Sequence, residues 1–92
     1  MIGSFKDEDT RRIYRREKTR RFHSLARVIL RKLLQIEASI ELDKLRVPPG
    51  NRLELLHGDR EGQHSIRVND QFRICFVWRD GYAYDIEVAD YH

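Results

Sequence analysis

Three residues at the end of the sequence, Asp90, Tyr91 and His92, place a carboxyl group, a phenol and an imidazole next to each other. Together these groups can act as base, acid and hydrogen-bond donor without a cofactor. If the last strand continues to the end, Tyr91 points to one face of the sheet, whereas Asp90 and His92 point to the other. The alternative is a tail without a catalytic role, because chain ends are seldom tied down.

Arg73 is the second residue with possible chemistry, and it lies in the alternating stretch FRICFVW. The alternation predicts that Arg73 points to the open face of a sheet, away from the large apolar residues Phe72, Ile74, Phe76 and Trp78. There its planar guanidinium is well placed to bind a phosphate. The alternative is a cross-strand ion pair with Asp85 or Glu87, which the alternation places on the same face.

The histidines and the cysteine give weaker signals. His57 begins the turn HGDREG, whose two glycines allow a close backbone approach to a ligand, but His57 and His64 lack a recognised metal-ligand spacing. The alternative is a metal site built from Asp90, His92 and His57. Cys75 is the single cysteine, so neither an internal disulfide nor a cysteine-based zinc site is expected. We therefore expect no metal and no cofactor.

Length and composition favour one α+β domain over residues 1–92, because 92 residues with 40% hydrophobic and 36% charged content suit a single core. No apolar run approaches the roughly 20 residues of a membrane helix, and the amino terminus lacks the apolar core of a signal peptide. We expect a cytoplasmic protein without a membrane partner. The sequence also lacks the Walker, dinucleotide, GxSxG and HExxH motifs.

The net charge of +3 is unevenly distributed. Residues 1–46 carry 13 Lys and Arg against 7 Asp and Glu, whereas residues 47–92 carry 5 against 8. Basic charge is densest in positions 11–32, where ten basic residues accompany only one acid, Glu17. This pattern is typical of a surface that binds nucleic acid or an acidic protein, and equally of a solvated helix face.

Two helices and four strands are predicted. Asp7 or Asp9 can cap a first helix through TRRIYRRE. A second helix follows from apolar residues at three- and four-residue steps: Phe22, Leu25, Ala26, Ile29, Leu33, Ile36 and Ile40. The stretch RVPPGNR ends helical structure.

After Gly50 the period becomes alternating and predicts an antiparallel meander. Its strands are centred on Leu53 and Leu55, on Ile66 and Val68, on FRICFVW, and on a run with Tyr82, Tyr84, Ile86 and Val88 on one face. Asp80-Gly81 marks a hairpin between the last two. MIGSF could add an edge strand, and we expect both helices to pack on one face of the sheet.

The sequence closely resembles the HigB-type toxins of bacterial toxin-antitoxin systems, within the RelE/ParE superfamily. The resemblance extends from MIGSF through RRFHSLARVILRKL and RVPPGNRLE to the terminal DYH. Its most specific parts are the GDR turn, SIRVNDQFRICF and the end at His92. It implies a RelE-like fold with a mainly antiparallel sheet of four to five strands.

The resemblance also implies a function: a ribosome-dependent endoribonuclease that cleaves mRNA in the A site through the RNA's own 2′-hydroxyl, without a metal. Arg73 matches the family's phosphate-binding arginine, Asp90, Tyr91 and His92 match its functional terminus, and His57 stands near the GDR turn. Arg52, Arg60, Arg67 and Arg73 are expected to contact RNA. The implied partners are the ribosome, mRNA and a HigA-like helix-turn-helix antitoxin, through which the complex contacts operator DNA.

Two departures from the family pattern leave alternatives open. His57 stands where many members have lysine, and Glu54 stands where some have histidine. Either change could weaken or alter catalysis. One alternative is therefore a weakened toxin that acts mainly as antitoxin partner and co-repressor. Another is a ParE-like inhibitor that binds DNA gyrase without catalysis.

Overall fold

A computed structural model describes residues 1–90 of the chain. Two α-helices, α1 (Glu8–Tyr14) and α2 (Ala26–Ala38), precede the strands β1 (Glu54–Leu55), β2 (His64–Arg67), β3 (Phe72–Arg79) and β4 (Tyr82–Asp90). Short 3-10 helices occupy His23–Leu25, Leu42–Arg46, Pro49–Asn51 and Gly58–Arg60. The predicted order of helices first and strands second is confirmed.

Asp7, rather than Asp9, caps α1. Its Oδ2 accepts a hydrogen bond from the amide of Thr10 at 3.2 Å, which satisfies one of the amides that a helix start leaves without a partner. Thr10 is fully buried, and its hydroxyl accepts a hydrogen bond from the amide of Val88 on β4 at 3.2 Å. The start of α1 is therefore joined to the last strand.

Helix α2 follows the predicted apolar face but ends earlier than predicted. Ile29, Leu33 and Ile36 are fully buried, whereas Ile40 lies beyond the helix and is 68% exposed. The backbone turns extended at Ser39, whose carbonyl accepts a hydrogen bond from the amino group of Met1. A cation at this position suits the negative end of the helix dipole. The prediction that Ile40 continues the buried face was wrong.

The four strands form one antiparallel sheet in the order β1-β2-β3-β4, as the meander pattern predicts. Asp80 and Gly81, with φ of 52° and 85°, form the tight turn between β3 and β4. The amino-terminal segment adds only two isolated parallel bridges to β4, Ile2 with Ala83 and Phe5 with Ile86.

A β-bulge in β4 changes which residues face the core. Cys75 pairs with Glu87 and Val77 pairs with Tyr84, so β4 has one more residue than β3 over this stretch. The extra residue is accommodated at Asp85, whose φ is 53°. The prediction of one continuous face through Tyr82, Tyr84, Ile86 and Val88 was therefore wrong. Before the bulge it is Ala83 that is buried, and Tyr82 is 37% exposed.

The main core joins the helices to one face of the sheet. Buried side chains of α1 and α2 cluster with those of β2, β3 and β4: Ile13, Ile29, Leu33, Ile36, Ile66, Ile74, Phe76, Ala83, Ile86 and Val88. A second, small cluster of Leu56, Cys75 and Ala89 lies apart from it. Among residues 1–90, no helix combines the length and apolar character needed to cross a membrane.

Replacing Asp7 with alanine removes the α1 cap and leaves the Thr10 amide without its side-chain acceptor. We expect Asp7→Ala to lower the free energy of unfolding by about 1 kcal/mol, whereas Asp7→Asn, which retains an acceptor oxygen, stays close to the parent protein. Urea unfolding followed by circular dichroism measures both variants. Equal stability of Asp7→Ala and Asp7→Asn would contradict the capping role.

Candidate functional site

Arg73 lies in the middle of the sheet on the face opposite to the main core. It pairs with Arg67 on β2 and with Ala89 on β4, so these three residues share one side of the sheet. The predicted orientation of Arg73 is confirmed. The face is not open, however, because Arg73 is only 9% exposed and Cys75 is fully buried. The segment that contains Arg52, Glu54 and Leu56 contacts both of them.

The guanidinium of Arg73 is held by hydrogen bonds from two directions. Its Nε donates to Oγ of Ser65 on β2 at 2.6 Å, and its Nη2 donates to the carbonyl of Arg52 at 2.5 Å. Ser65 is fully buried. Within residues 1–90, no hydrogen bond uses the remaining nitrogen, Nη1. A buried arginine is thus fixed in orientation while one edge of its guanidinium keeps donors for a ligand.

The carboxylate that Arg73 contacts is Glu54, which lies 3.9 Å from Nη2 and whose side chain is 53% exposed. The alternative prediction of a pair with Asp85 or Glu87 was wrong. Glu87 instead accepts a hydrogen bond from Arg60 at 2.8 Å and lies 3.5 Å from Lys6. Asp85 is exposed and lies at the bulge. The shift in register there ends the alternation that predicted Asp85 and Arg73 on the same face of the sheet.

The backbone that binds Arg73 is itself anchored to α2. Asn51 is fully buried, accepts a hydrogen bond from Lys32 on α2, and donates to Gln35 on the same helix at 2.9 Å. The next residue, Arg52, adopts φ of 45° and turns its carbonyl to Arg73. The pKa of Lys32 is lowered, mainly by burial and secondarily by nearby Arg31 and Arg67. Neither Asn51 nor Ser65 was predicted as a site residue.

The other predicted RNA-binding arginines lie around this site. Arg60, in the GDR turn, contacts Glu87, and Arg67 forms an exposed ion pair with Asp70. Arg52 is exposed, and its carbonyl is the group that binds Arg73. Arg60, Arg67 and Arg73 thus each lie beside a carboxylate of the same chain.

A family model described as RelE-like toxin of type II toxin-antitoxin system HigB matches residues 3–92. The chain belongs to this HigB-like toxin family. It is 42% identical over 85 residues to Toxin HigB-1 of Vibrio cholerae serotype O1, and the alignment covers 90% of each chain. Over 41 residues, or 45% of each chain, it is 46% identical to Endoribonuclease HigB of Proteus vulgaris. The resemblance predicted from the sequence is confirmed.

A solved structure supports the fold of this HigB-like toxin. The chain resembles one in the crystal structure of the heterotetrameric YoeB-YefM toxin-antitoxin complex from Staphylococcus aureus, with a TM-score of 0.57 and 16% identity. The comparison covers 100% of this chain and 98% of that chain. At this identity the likeness concerns the fold alone, which is a combination of helices with a four-stranded antiparallel sheet.

The HigB pattern adds two described residues to Arg73, namely Asp90 and His57. Asp90 pairs with Phe72 and so shares its face, opposite to that of Arg73, and it accepts a hydrogen bond from Gln71 at 3.0 Å. His57 is 76% exposed, and its Nδ1 lies 3.8 Å from Glu61. Tyr91 and His92 lie outside the described residues.

Two further groups in this HigB-like toxin have perturbed proton affinities. Burial raises the pKa of the Cys75 thiol, which disfavours the reactive thiolate. Burial, together with the charge of Arg46, lowers the pKa of His64, whose Nδ1 is buried without a hydrogen-bond partner among the described residues. Within residues 1–90, no three His, Cys, Asp or Glu side chains lie close enough to hold a metal ion together.

The lowered pKa of His64 makes stability depend on pH. The folded protein binds this proton more weakly than the unfolded chain does, so stability is greatest above pH 6.5 and falls as the pH drops from there toward the folded-state pKa. We expect His64→Gln to lose less stability than the parent protein between pH 7.5 and pH 5. Urea unfolding across this range measures the difference, with the exposed His23→Gln as control. Parallel profiles for all three proteins would refute the assignment.

Proposed function

We propose that this HigB-like toxin is a ribosome-dependent endoribonuclease that cleaves mRNA in the A site. In the reaction, the 2′-oxygen of a nucleotide forms a bond to the adjacent phosphorus, and the bond from phosphorus to the 5′-oxygen of the next nucleotide breaks. A proton leaves the 2′-hydroxyl and another joins the departing 5′-oxygen. The RNA supplies its own nucleophile, so the protein must transfer protons and stabilise negative charge.

The observation that carries the proposal is the fixed guanidinium of Arg73. Ser65 and the Arg52 carbonyl orient it before a substrate arrives, so little reorganisation is needed during the reaction. Its low exposure strengthens its interaction with the charge that develops on the phosphorane oxygens. Such a group favours the transition state over the ground state, because the phosphate gains charge as the reaction proceeds.

The proton-transfer roles are assigned by the family resemblance. His92 is the proposed proton-transfer group, Asp90 orients it, and Tyr91 donates a hydrogen bond or stacks on a base. His57 is proposed as a further catalytic group. Its high exposure is compatible with contact to a substrate phosphate or 2′-hydroxyl that approaches from solvent. Asp90 and Arg73 face opposite sides of the sheet, so we assign them separate tasks.

The proposed partners follow from charge and family membership. An open groove at the end of α1 is lined by several basic residues, among them Arg12, Lys18, Arg20 and Arg21. This surface suits the phosphates of ribosomal RNA or an acidic surface of a HigA-like helix-turn-helix antitoxin. The antitoxin would carry the complex to operator DNA. A ribosomal target places the activity in the cytoplasm.

A second candidate is a weakened toxin that acts mainly as antitoxin partner and co-repressor. One observation favours it: Arg60, Arg67 and Arg73, all expected to bind RNA, each contact a carboxylate of the same chain. Such pairs reduce the positive potential available to RNA. The two candidates differ in whether the purified protein cleaves mRNA at all.

Mapping of mRNA 5′ ends in a purified translation system tests the proposal. New ends should occur only when ribosomes are translating, and the same RNA without ribosomes should remain intact. Cleavage of the RNA without ribosomes would contradict the proposed ribosome dependence. If no new ends form while the protein still arrests growth, the weakened-toxin candidate and gyrase inhibition gain support. A DNA supercoiling assay then separates those two.

Arg73→Gln should reduce the rate of cleavage about 100- to 1000-fold, the range found when one donor to a developing oxyanion is removed. Because Arg73 is buried and bonded to Ser65, the variant should also be less stable, so its folding must be verified by circular dichroism. Arg46→Gln is the matched control, since it removes an exposed arginine that pairs with Asp43. A folded Arg73→Gln protein with unchanged cleavage would exclude the assigned role.

A further inference from the structure

Glu54 has an unusual position relative to the proposed phosphate site. It pairs with Ser65 across β1 and β2, and Ser65 binds the guanidinium of Arg73. The strand pairing therefore places the Glu54 carboxylate beside the same guanidinium that Ser65 orients. The two charges are held together by the register of the sheet.

In the contact between Glu54 and Arg73, the Glu54 side chain is loosely held, whereas the Arg73 guanidinium is fixed by hydrogen bonds. The distance from Oε2 to Nη2 is 3.9 Å, which is too long for a hydrogen bond. The Glu54 side chain is 53% exposed, whereas that of Arg73 is 11% exposed. The carboxylate can therefore move into solvent at little cost, while the guanidinium stays in place.

We infer that Glu54 is an internal counter-ion that an RNA phosphate displaces when it binds Arg73. The inference rests on the proposed function, in which Arg73 binds the scissile phosphate. A carboxylate and a phosphate are both anions, so each is attracted to the same guanidinium and the two compete for its positive charge. RNA binding then exchanges one ion pair for another, and Glu54 weakens affinity without taking part in proton transfer. Glu54 is thus a residue that tunes substrate binding.

The prediction concerns Glu54→Gln, which keeps the size of the side chain and removes its charge. We expect RNA to bind about two- to five-fold more tightly, since Glu54 is half exposed and its attraction to Arg73 is screened by solvent as in a surface ion pair. We also expect the slope of log affinity against log salt concentration to become steeper by about 0.7, the contribution of one phosphate of a single strand. In the parent protein the displaced carboxylate takes up a cation and so offsets the counter-ion that the bound phosphate releases, whereas Glu54→Gln takes up none. The maximal cleavage rate should not change.

Two measurements are made on the purified full chain. Fluorescence anisotropy with a short single-stranded RNA that carries 2′-O-methyl groups reports binding without cleavage. Single-turnover cleavage of mRNA on translating ribosomes, over a range of protein concentrations, gives the half-saturating concentration and the maximal rate separately. Asp43→Asn is the matched control, because it removes an exposed carboxylate that pairs with Arg46 instead. It should leave both quantities unchanged.

The outcomes separate this inference from the proposed function. Unchanged affinity of Glu54→Gln for the 2′-O-methyl RNA, or no binding by either protein, would overturn the counter-ion role. A 100-fold lower maximal rate with unchanged half-saturation would show instead that Glu54 transfers a proton, and would also overturn it. If the parent protein binds RNA but cleaves none on ribosomes, the proposed function fails. In that case, tighter binding by Glu54→Gln, lost when Arg73→Gln is added, would still support the counter-ion role.

Discussion

Burial of both faces of β3 is the constraint on which the rest of the structure depends. One face contributes Ile74 and Phe76 to the main core, and the other contributes Arg73 and Cys75, which are also buried. A buried guanidinium must satisfy its donors, since leaving a buried charge unpaired costs several kcal/mol. The neighbouring strand and the segment before β2 supply those acceptors. The same requirement that stabilises the fold thus orients the residue proposed to bind phosphate.

The route from the helical layer to this site runs through a short polar chain. Lys32 on α2 donates to Asn51, and Asn51 fixes the backbone immediately before Arg52, whose carbonyl binds Arg73. Asn51 also donates to the Leu45 carbonyl at 3.1 Å. A buried amide with this many partners defines the path of a segment that contains little regular structure. Helix α2 therefore contributes to the position of Arg73 through Asn51 and the Arg52 carbonyl.

The sequence predicts the elements well because helix and strand periodicity are local properties. The same local reasoning places Arg73 on the correct face of β3. Local reasoning fails where contacts between distant parts of the chain determine the structure. The residue after α2, Ser39, is bound by the amino group of Met1, and the reversal of faces in β4 occurs at the bulge at Asp85. The partner of Arg73 could not be predicted either, because Glu54 reaches it through the register of β1. That register follows from the turn around Gly58–Arg60 rather than from alternation alone.

Charge is divided between the two halves of the molecule, and each half has its own physical role. Around the sheet, acids outnumber basic residues, and the site arginines lie beside carboxylates of the same chain. Excess positive charge belongs to the helical half. The helical half should govern the rate of encounter with an anionic partner, because the attraction that steers encounter depends on the summed charge of a surface. Salt limits this attraction to distances of about 10 Å. The proposed phosphate site would act at contact distance, where the proposed exchange of Glu54 for phosphate depends on geometry. On this proposal, different residues govern the rate of encounter and the affinity for phosphate, so a substitution can change one without the other.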